Sequence, residues 1–215
     1  MTDSTATPET TKGRILDAAE ELFAARGFGA TSTRLVTTTA DVNLAAVNYH
    51  FGSKDGLLRA VFERRLVPLN RVRLERLTAL EQSHDEVPLA SLLAAFFEPA
   101  LRLGESASGQ RFLRLLGRLH SEPDRSPVRE LFFEQFQEVS ARFMPLLARA
   151  LPDVPRQRLI WRVHFMIGAM AHTMMCSDVI EFLSEGACRS NDVEAALREL
   201  VSFVEAGLRG TEEEA

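Results

Sequence analysis

The residues best suited to chemistry lie between Ser32 and Leu57, and that chemistry is hydrogen bonding to a nucleic acid. Asn48 can pair bidentately with adenine, while a nearby alanine or aromatic edge can meet a thymine methyl group. Tyr49 is the only tyrosine in a chain with 14 phenylalanines, which indicates a polar partner such as a phosphate for its hydroxyl. His50 follows directly, so three polar side chains are consecutive.

Lys54 adds a second indication because it falls in the first turn of a predicted helix. The macrodipole disfavours a cation there by ~0.3–1 kcal/mol, whereas a phosphate bound at the same helix N-terminus would offset that cost. A solvated lysine at a helix end is the alternative for Lys54 considered alone. Its position beside Asn48, Tyr49 and His50 favours the phosphate.

Two short helices joined by a tight turn must position these side chains. Asp41 lies at the turn, where a short polar residue tolerates positive φ, and Asn43 is a good N-cap for a helix over 44–51. The apolar residues that two crossing helices would bury are Leu35, Val36, Ala40, Val42, Val47 and Phe51. The pattern predicts a helix-turn-helix, whose second helix lies in the DNA major groove. The predicted DNA-contacting residues are Thr31, Ser32, Thr33, Arg34, Asn43, Leu44, Ala45, Ala46, Asn48, Tyr49, His50 and Lys54.

The overall charge does not suggest a nucleic-acid binder, but the distribution of charge along the chain is compatible with one. The 215-residue chain carries a net charge of −5, whereas residues 22–54 hold three basic residues and one acid, a local balance of +2. A basic patch on an acidic protein favours specific sites over indiscriminate phosphate binding. There are two cysteines and no secretory signal, so we expect a cytoplasmic protein with reduced thiols.

Every long segment has helical periodicity, and no alternating strand pattern of useful length occurs. The sequence therefore predicts an all-α fold. Its predicted helices are 11–26, 44–51, 54–80, 88–103, 109–120, 126–151, 155–176 and 191–208, with Pro68 kinking or dividing the long one. We expect a disordered arm over 1–8, a DNA-binding domain over 9–65, a ligand-binding and dimerisation domain over 66–209, and an acidic tail over 210–215.

The composition of the helices after residue 88 suggests an apolar ligand-binding pocket and an interface between two subunits. One group is rich in phenylalanine, and the helix 155–176 is rich in methionine and small residues and is nearly apolar all round past Val163. Such a helix must be covered on two sides, either by its own domain alone or partly by a second subunit. Arg111, Arg114 and Arg118 form a basic stripe, which is either a solvated face or a partner for the acidic end of a ligand.

No signature of an enzyme is present, since the chain lacks a Gly-rich phosphate loop, a paired-cysteine zinc motif and a nucleophile elbow. His172 and Cys176 are four apart and could form half of a metal site, but two ligands rarely suffice. A disulfide between Cys176 and Cys188 is equally weakly supported. We therefore expect no cofactor and no metal.

The N-terminal quarter of the chain resembles the DNA-binding domain of the TetR family. The resemblance runs from Lys12 to Arg65 and rests on ILDAAEELFAARGF, the Thr31-Ser32 cap, the turn, and YHFGSK followed by Leu57. Two features depart from the family pattern. Asp41 stands where many members have glycine, and Asn48 occupies the usual tyrosine position, with Tyr49 one residue later. The Asn-Tyr-His-Phe variant resembles a PsrA-like, fatty-acid-responsive branch.

The resemblance implies a ligand-responsive transcriptional regulator, most often a repressor, that binds a palindromic operator as a homodimer. Its dimer would form through the last two long helices, and its effector would be a long-chain fatty acid or acyl-CoA. The expected ligand-binding residues are Phe96, Phe112, Leu116, Phe132, Phe136, Trp161, Phe165, Met170, Arg114 and Arg118. The expected dimerisation residues are Phe165, Ala169, His172, Leu197, Val201 and Val204. The alternative is an all-helical binding or structural protein without specific operator recognition.

Overall fold

Helices account for all the regular structure in the computed structural model, which describes residues 10–83, 86–121 and 126–210. The helices are α1 (Thr11–Arg26), α2 (Thr33–Thr39), α3 (Leu44–Phe51), α4 (Lys54–Ser83), α5 (Leu89–Leu101), α6 (Ala107–Ser121), α7 (Ser126–Ala150), α8 (Arg156–Met175), α9 (Ser177–Leu183) and α10 (Val193–Arg209). A short 3-10 turn, Arg102–Glu105, follows α5. The predicted all-α class is confirmed, whereas the arm over 1–8 and all but the first residue of the acidic tail lie outside the described residues.

The predicted helices differ from the observed ones at two places. α4 continues through Pro68 to Ser83, so the proline removes one backbone hydrogen bond without dividing the helix. α9 was not predicted, because the apolar run continues past Met175 without a glycine or proline to mark a boundary. Its N-cap, Cys176, makes no side-chain hydrogen bond, so the break between α8 and α9 has no capping signature.

By its internal contacts the chain divides into two compact units. The first takes the described part of Met1–Val67 and of Arg111–Phe133, and the second takes that of Pro68–Gln110 and Glu134–Ala215. α4 therefore contributes residues to both. The domain bounds expected from the sequence, 9–65 and 66–209, remain a prediction.

In the first unit, the buried carboxylate of Glu20 joins α1 to α4. Glu20 is 0% exposed, and its oxygens accept from Arg64 Nη2 at 2.7 Å and from Arg65 Nη2 at 2.8 Å. Arg64 also donates to Asp17 at 2.6 Å. A buried carboxylate is tolerated only when it is paired and hydrogen-bonded, so the two arginines fix how α1 packs on α4.

In the second unit, a single apolar cluster draws on α4, α5, α7, α8 and α10. Leu92, Leu93, Phe97 and Leu147 are fully buried within it. At its edge Glu98 accepts hydrogen bonds from Arg76 and Arg102, which lower the pKa of that carboxyl to about 2. Arg102 also reaches Glu194 at 3.0 Å, so this ion network ties α5 to the start of α10.

Within the described ranges, no single helix is both long and apolar enough to cross a membrane. Only α8 and α9 taken together meet those two criteria, and that pair is bent by 79°.

Replacing Glu20 tests the clamp between α1 and α4. Glu20→Gln leaves two arginine charges without their buried partner, so we expect the free energy of unfolding to fall by about 3 kcal/mol. Chemical denaturation followed by circular dichroism measures this. Glu21→Gln is the matched control, because Glu21 is the exposed neighbouring acid and should change the stability little. Equal effects in the two variants would contradict the structural role of Glu20.

Candidate nucleic-acid interface

The turn between α2 and α3 is held by backbone and capping hydrogen bonds. Ser32 Oγ accepts from the Leu35 N–H at 3.1 Å, and Asn43 Oδ1 accepts from the Ala45 N–H at 2.9 Å. Asp41 adopts φ 51°, and the next residue, Val42, donates its N–H to Thr37 O at 3.0 Å. Aspartate can adopt this left-handed conformation because its side chain is short and polar. It therefore replaces the glycine that many members of the TetR family have at this position of the turn.

The two faces of α3 differ in the way a recognition helix requires. Val47 is fully buried, whereas Tyr49 is 86% exposed and Leu44 is 47% exposed. Ala45 and Asn48 are also exposed. This face offers an amide, a hydroxyl and small apolar groups, which match the hydrogen-bonding edges and methyl groups of a major groove.

The start of α4 lies against the end of α3. Ser53 Oγ accepts from the Gly56 N–H at 3.0 Å, and a Cβ at Gly56 would lie only 2.0 Å from Phe51 O. Glycine at position 56 is therefore required by this close approach. It brings the N-terminus of α4 next to the helix that presents Tyr49.

Lys54 has a partner within the chain. Its Nζ lies 4.3 Å from the centroid of the Phe28 ring, a cation–π contact worth ~0.5–1 kcal/mol at an exposed site. This contact stabilises the ammonium at an otherwise unfavourable helix start. The ammonium remains partly exposed beside the α4 N-terminus, where an anion would find both a cation and free N–H groups.

One predicted DNA-contacting residue must be corrected. Thr31 is 0% exposed, and its hydroxyl donates to Gly27 O at 2.8 Å, so it closes the loop after α1 instead of facing solvent. The remaining predicted residues are exposed (Ser32, Arg34, Asn43, Leu44, Ala45, Asn48 and Tyr49) or partly buried (Thr33, Ala46, His50 and Lys54). Sequence reasoning missed Arg14, which donates from α1 to Asp41 O at 3.4 Å and supports the turn.

In the second unit, three predicted ligand-binding residues surround an arginine that was not predicted. Arg73 lies with its guanidinium carbon 4.0 Å from the Phe96 ring centroid and 5.3 Å from that of Phe136. Its Nη2 is 3.8 Å from Met170 Sδ. The signal was present in the sequence, since Arg73 falls four residues after Leu69 and four before Leu77 and so shares their buried stripe.

The other predicted ligand-binding residues lie elsewhere. Phe112 packs edge-on against Phe62 in the first unit, with centroids 5.5 Å apart, and Leu116 is partly buried there. Arg118 donates to Ala24 O and Ala25 O at the end of α1. Four are exposed in the single chain, so they do not line an enclosed cavity within it: Arg114, Arg118, Trp161 and Phe165. The side chain of Phe132 lies outside the described residues.

The predicted dimerisation residues divide by exposure. Phe165 is 64% exposed, and His172 is exposed. Ala169, Leu197 and Val201 pack partly against the chain's own core. Val204 is only 5% exposed, so its assignment is corrected: it belongs to that core, and its neighbour Phe203, 72% exposed, faces outward instead. A one-residue error on a helix turns the assigned side chain by about 100°.

Comparison with known proteins identifies the class to which this fold and this surface belong. Residues 15–61 match the family model of bacterial regulatory proteins of the tetR family. Residues 94–207, more than half of the chain, match that of the tetracyclin repressor-like C-terminal domain. The protein is thus a helix-turn-helix transcriptional regulator and not an enzyme. The chain belongs to the TetR family, which favours this reading over an all-helical structural protein.

Individual relatives share the DNA-binding segment or the fold. The transcriptional repressor Rv3405c of Mycobacterium tuberculosis is 45% identical over 58 residues, which are 27% of this chain and 31% of that protein. The chain thus spans less than a third of that curated relative in the match. NalD, the secondary repressor of the MexAB-OprM multidrug efflux pump in Pseudomonas aeruginosa, aligns with a TM-score of 0.68 at 22% identity over 92% of this chain and 96% of its own. SmeT in complex with triclosan aligns with a TM-score of 0.67 at 20% identity over 95% and 98%. Both alignments show the fold alone.

Three substitutions test the surface of α3 and the start of α4. Tyr49→Phe and Lys54→Ala should weaken operator binding at every sequence, because each removes a phosphate contact. Asn48→Ala should instead relax the preference at one base position per half-site, with a loss of ~1–3 kcal/mol of discrimination. Gel shifts on a selected operator and on its single-base variants measure both effects.

Two control variants separate these effects from general damage. Lys54→Arg keeps the charge and should retain most of the affinity. Asn191→Ala removes an exposed asparagine of the second unit and should change nothing. Unchanged affinity in Tyr49→Phe, Lys54→Ala and Asn48→Ala would remove α3 as the recognition helix.

Proposed function

We propose that this protein is a homodimeric repressor that binds a pseudo-palindromic operator and is released from it by an apolar effector. The observation that carries the proposal is the exposed face of α3, where Asn48 and Tyr49 stand beside small residues while Val47 anchors the helix. One recognition helix reads only a few base pairs, so useful specificity needs two copies. A twofold-symmetric dimer on two half-sites meets that need.

The dimer is supported by an apolar face on α8 and α10. Trp161 is 63% exposed and Phe165 64%, and their rings stack with centroids 6.0 Å apart. Phe203 on α10 is 72% exposed, and Ile160 and Ile167 on α8 are about half exposed. Large exposed apolar side chains such as the stacked pair on α8 and Phe203 on α10 favour an interaction site. A second copy of the same two helices would cover them as a four-helix face.

The effector proposal rests on the aromatic and methionine side chains of the second unit. Phe96 and Met170 are buried, and Phe136 is partly buried. Phenylalanine and methionine together form an adaptable apolar wall that suits an alkyl chain or a flat aromatic molecule. The resemblance to fatty-acid-responsive regulators favours a long-chain fatty acid or acyl-CoA. SmeT, which shares the fold, has been seen with triclosan, an example of a small apolar ligand on this architecture.

Release of DNA requires the effector to prefer the conformation that binds the operator poorly. A difference of ~2 kcal/mol between the two conformations would change operator affinity about thirtyfold. α4 is the element suited to carry this difference, because it is one continuous helix with residues in both compact units.

A charge on the apolar face tests the dimer. Phe203→Glu should give monomers and abolish operator binding, because the carboxylate would be buried against the partner subunit without a counter-charge. The variant should fold normally, since Phe203 is exposed in the single chain. Light scattering and gel shifts measure the two effects.

Phe133→Glu is the matched control for this substitution. Phe133 is 71% exposed and lies on α7, so the same change there should leave the dimer intact. A dimeric Phe203→Glu protein that still binds operator would place the interface elsewhere.

Operator release tests the effector. Oleate or oleoyl-CoA, added to the complex of the dimer with its selected operator, should displace the DNA in fluorescence anisotropy at low micromolar concentrations. Oleoyl glycerol ester, which carries the same chain without an acidic group, separates a requirement for the chain from one for the charge. If neither acidic compound displaces DNA, the acyl assignment is wrong while the repressor assignment is unaffected.

A further inference from the structure

Arg73 is the most deeply buried charge in the described part of the second unit. It is 1% exposed and lies on α4 between the Phe96 and Phe136 rings. Its Nε donates to Phe96 O at 2.8 Å, and its Nη1 donates to Asn70 Oδ1 at 3.2 Å. Asn70 is itself 6% exposed and donates to Gln135 O at 2.6 Å, so its orientation is fixed by a second helix.

The acceptors of Arg73 are all uncharged. In the ranges that the structure describes they are a carbonyl, an amide oxygen and a thioether sulfur. The neighbouring arginines differ in this respect. Arg76 and Arg102 share Glu98, and Arg142 pairs with Glu81. No acidic side chain among the described residues therefore offsets the desolvation free energy of this one guanidinium.

The described residues do not use all the hydrogen-bond donors of Arg73. A guanidinium has five N–H donors in a fixed fork, and the described part of the chain engages three of them. The bond to Met170 Sδ, at 3.8 Å, is the weakest, because a thioether is a poor acceptor. Both Nη atoms thus retain capacity for an oxygen ligand. Without one, burial lowers the pKa of Arg73 to about 9, which still leaves it charged at neutral pH.

We propose that Arg73 is the anchor for the carboxylate of the effector, and that the effector is a free apolar monocarboxylic acid. The proposal rests on the proposed function, because it names the ligand class of the effector site. A carboxylate presents two oxygens that match the guanidinium fork bidentately and supplies the missing negative charge. The rings of Phe96 and Phe136, with Met170, then contact the apolar body of the ligand.

The same geometry selects the free acid over its coenzyme A thioester. Thioester formation converts the carboxylate into a neutral carbonyl, and it attaches a large group with several phosphates. Arg73 is one buried charge beside two aromatic rings, an amide and a thioether, which suits a ligand with one negative charge better than a polyphosphate. Arg118 of the arginine stripe on α6 already has a partner of its own, since it donates to the end of α1.

Binding of matched acid, alcohol and thioester tests the anchor. Dodecanoate, dodecan-1-ol and dodecanoyl-CoA are titrated into the full-length dimer at pH 7.5 by isothermal calorimetry. Wild-type protein should bind dodecanoate at least tenfold more tightly than either of the other two. This comparison needs no variant, so it stands whether or not substitution of Arg73 disturbs the fold.

Variants then assign the preference to Arg73. Arg73→Gln should bind the acid and the alcohol equally, and Arg73→Lys should keep the sign of the preference with a smaller ratio, because lysine retains the charge without the fork. Arg71→Gln is the matched control on the same helix: Arg71 is 74% exposed, and its loss should leave the acid preference unchanged.

The binding and gel-shift results distinguish a failure of the Arg73 anchor from a failure of the repressor assignment. Equal binding of acid and alcohol by wild-type protein, no binding of dodecanoate, or an acid preference that survives in a folded Arg73→Gln protein would each overturn the anchor. Specific operator binding in gel shifts would still support the repressor in those cases. Acid binding at Arg73 by a protein without specific operator binding would keep the anchor and remove the repressor.

Discussion

The buried carboxylate of Glu20 is the constraint on which the DNA-binding unit depends. Removed from water on α1, it is paired with Arg64 and Arg65 of α4, and a buried carboxylate without such partners would destabilise the fold. The packing of α1 against α4 is therefore fixed by charge as well as by apolar contact. Both α2 and α3 contact α1, so the position of the helix that carries Asn48 and Tyr49 depends in part on an ion cluster well removed from it in the sequence.

The helices and the buried and exposed faces of α3 could be predicted because their causes are local. Asn43 caps α3, Gly52 ends it at φ 72°, and Val47 faces inward by simple periodicity. These signals lie within a few residues of what they determine. The same holds for α1, whose observed bounds, Thr11–Arg26, are those predicted.

The errors arose where the cause lies far away in the chain. Thr31 has the composition of an exposed cap, and only the carbonyl of Gly27 and the packing of α1 bury it. Val204 and Phe203 are adjacent apolar residues, and which one enters the core depends on where α5 and α8 pack. Arg73 shares the stripe of Leu69 and Leu77, but the periodicity of α4 does not show which side chains cover it. Its burial depends on aromatic side chains 23 and 63 positions away, counted from Phe96 and Phe136.

The position of Lys54 has a consequence for covalent chemistry on this protein. The chain has only two lysines, Lys12 and Lys54, against 23 arginines, and both belong to the first unit. Acylation of lysine side chains is thus confined to the DNA-binding end. At Lys54 it would remove the cation from above the Phe28 ring and from the α4 N-terminus in one step. Amine-directed coupling to a surface or a dye would therefore modify lysines of the first unit, whereas thiol coupling through the exposed Cys188 would modify the second unit.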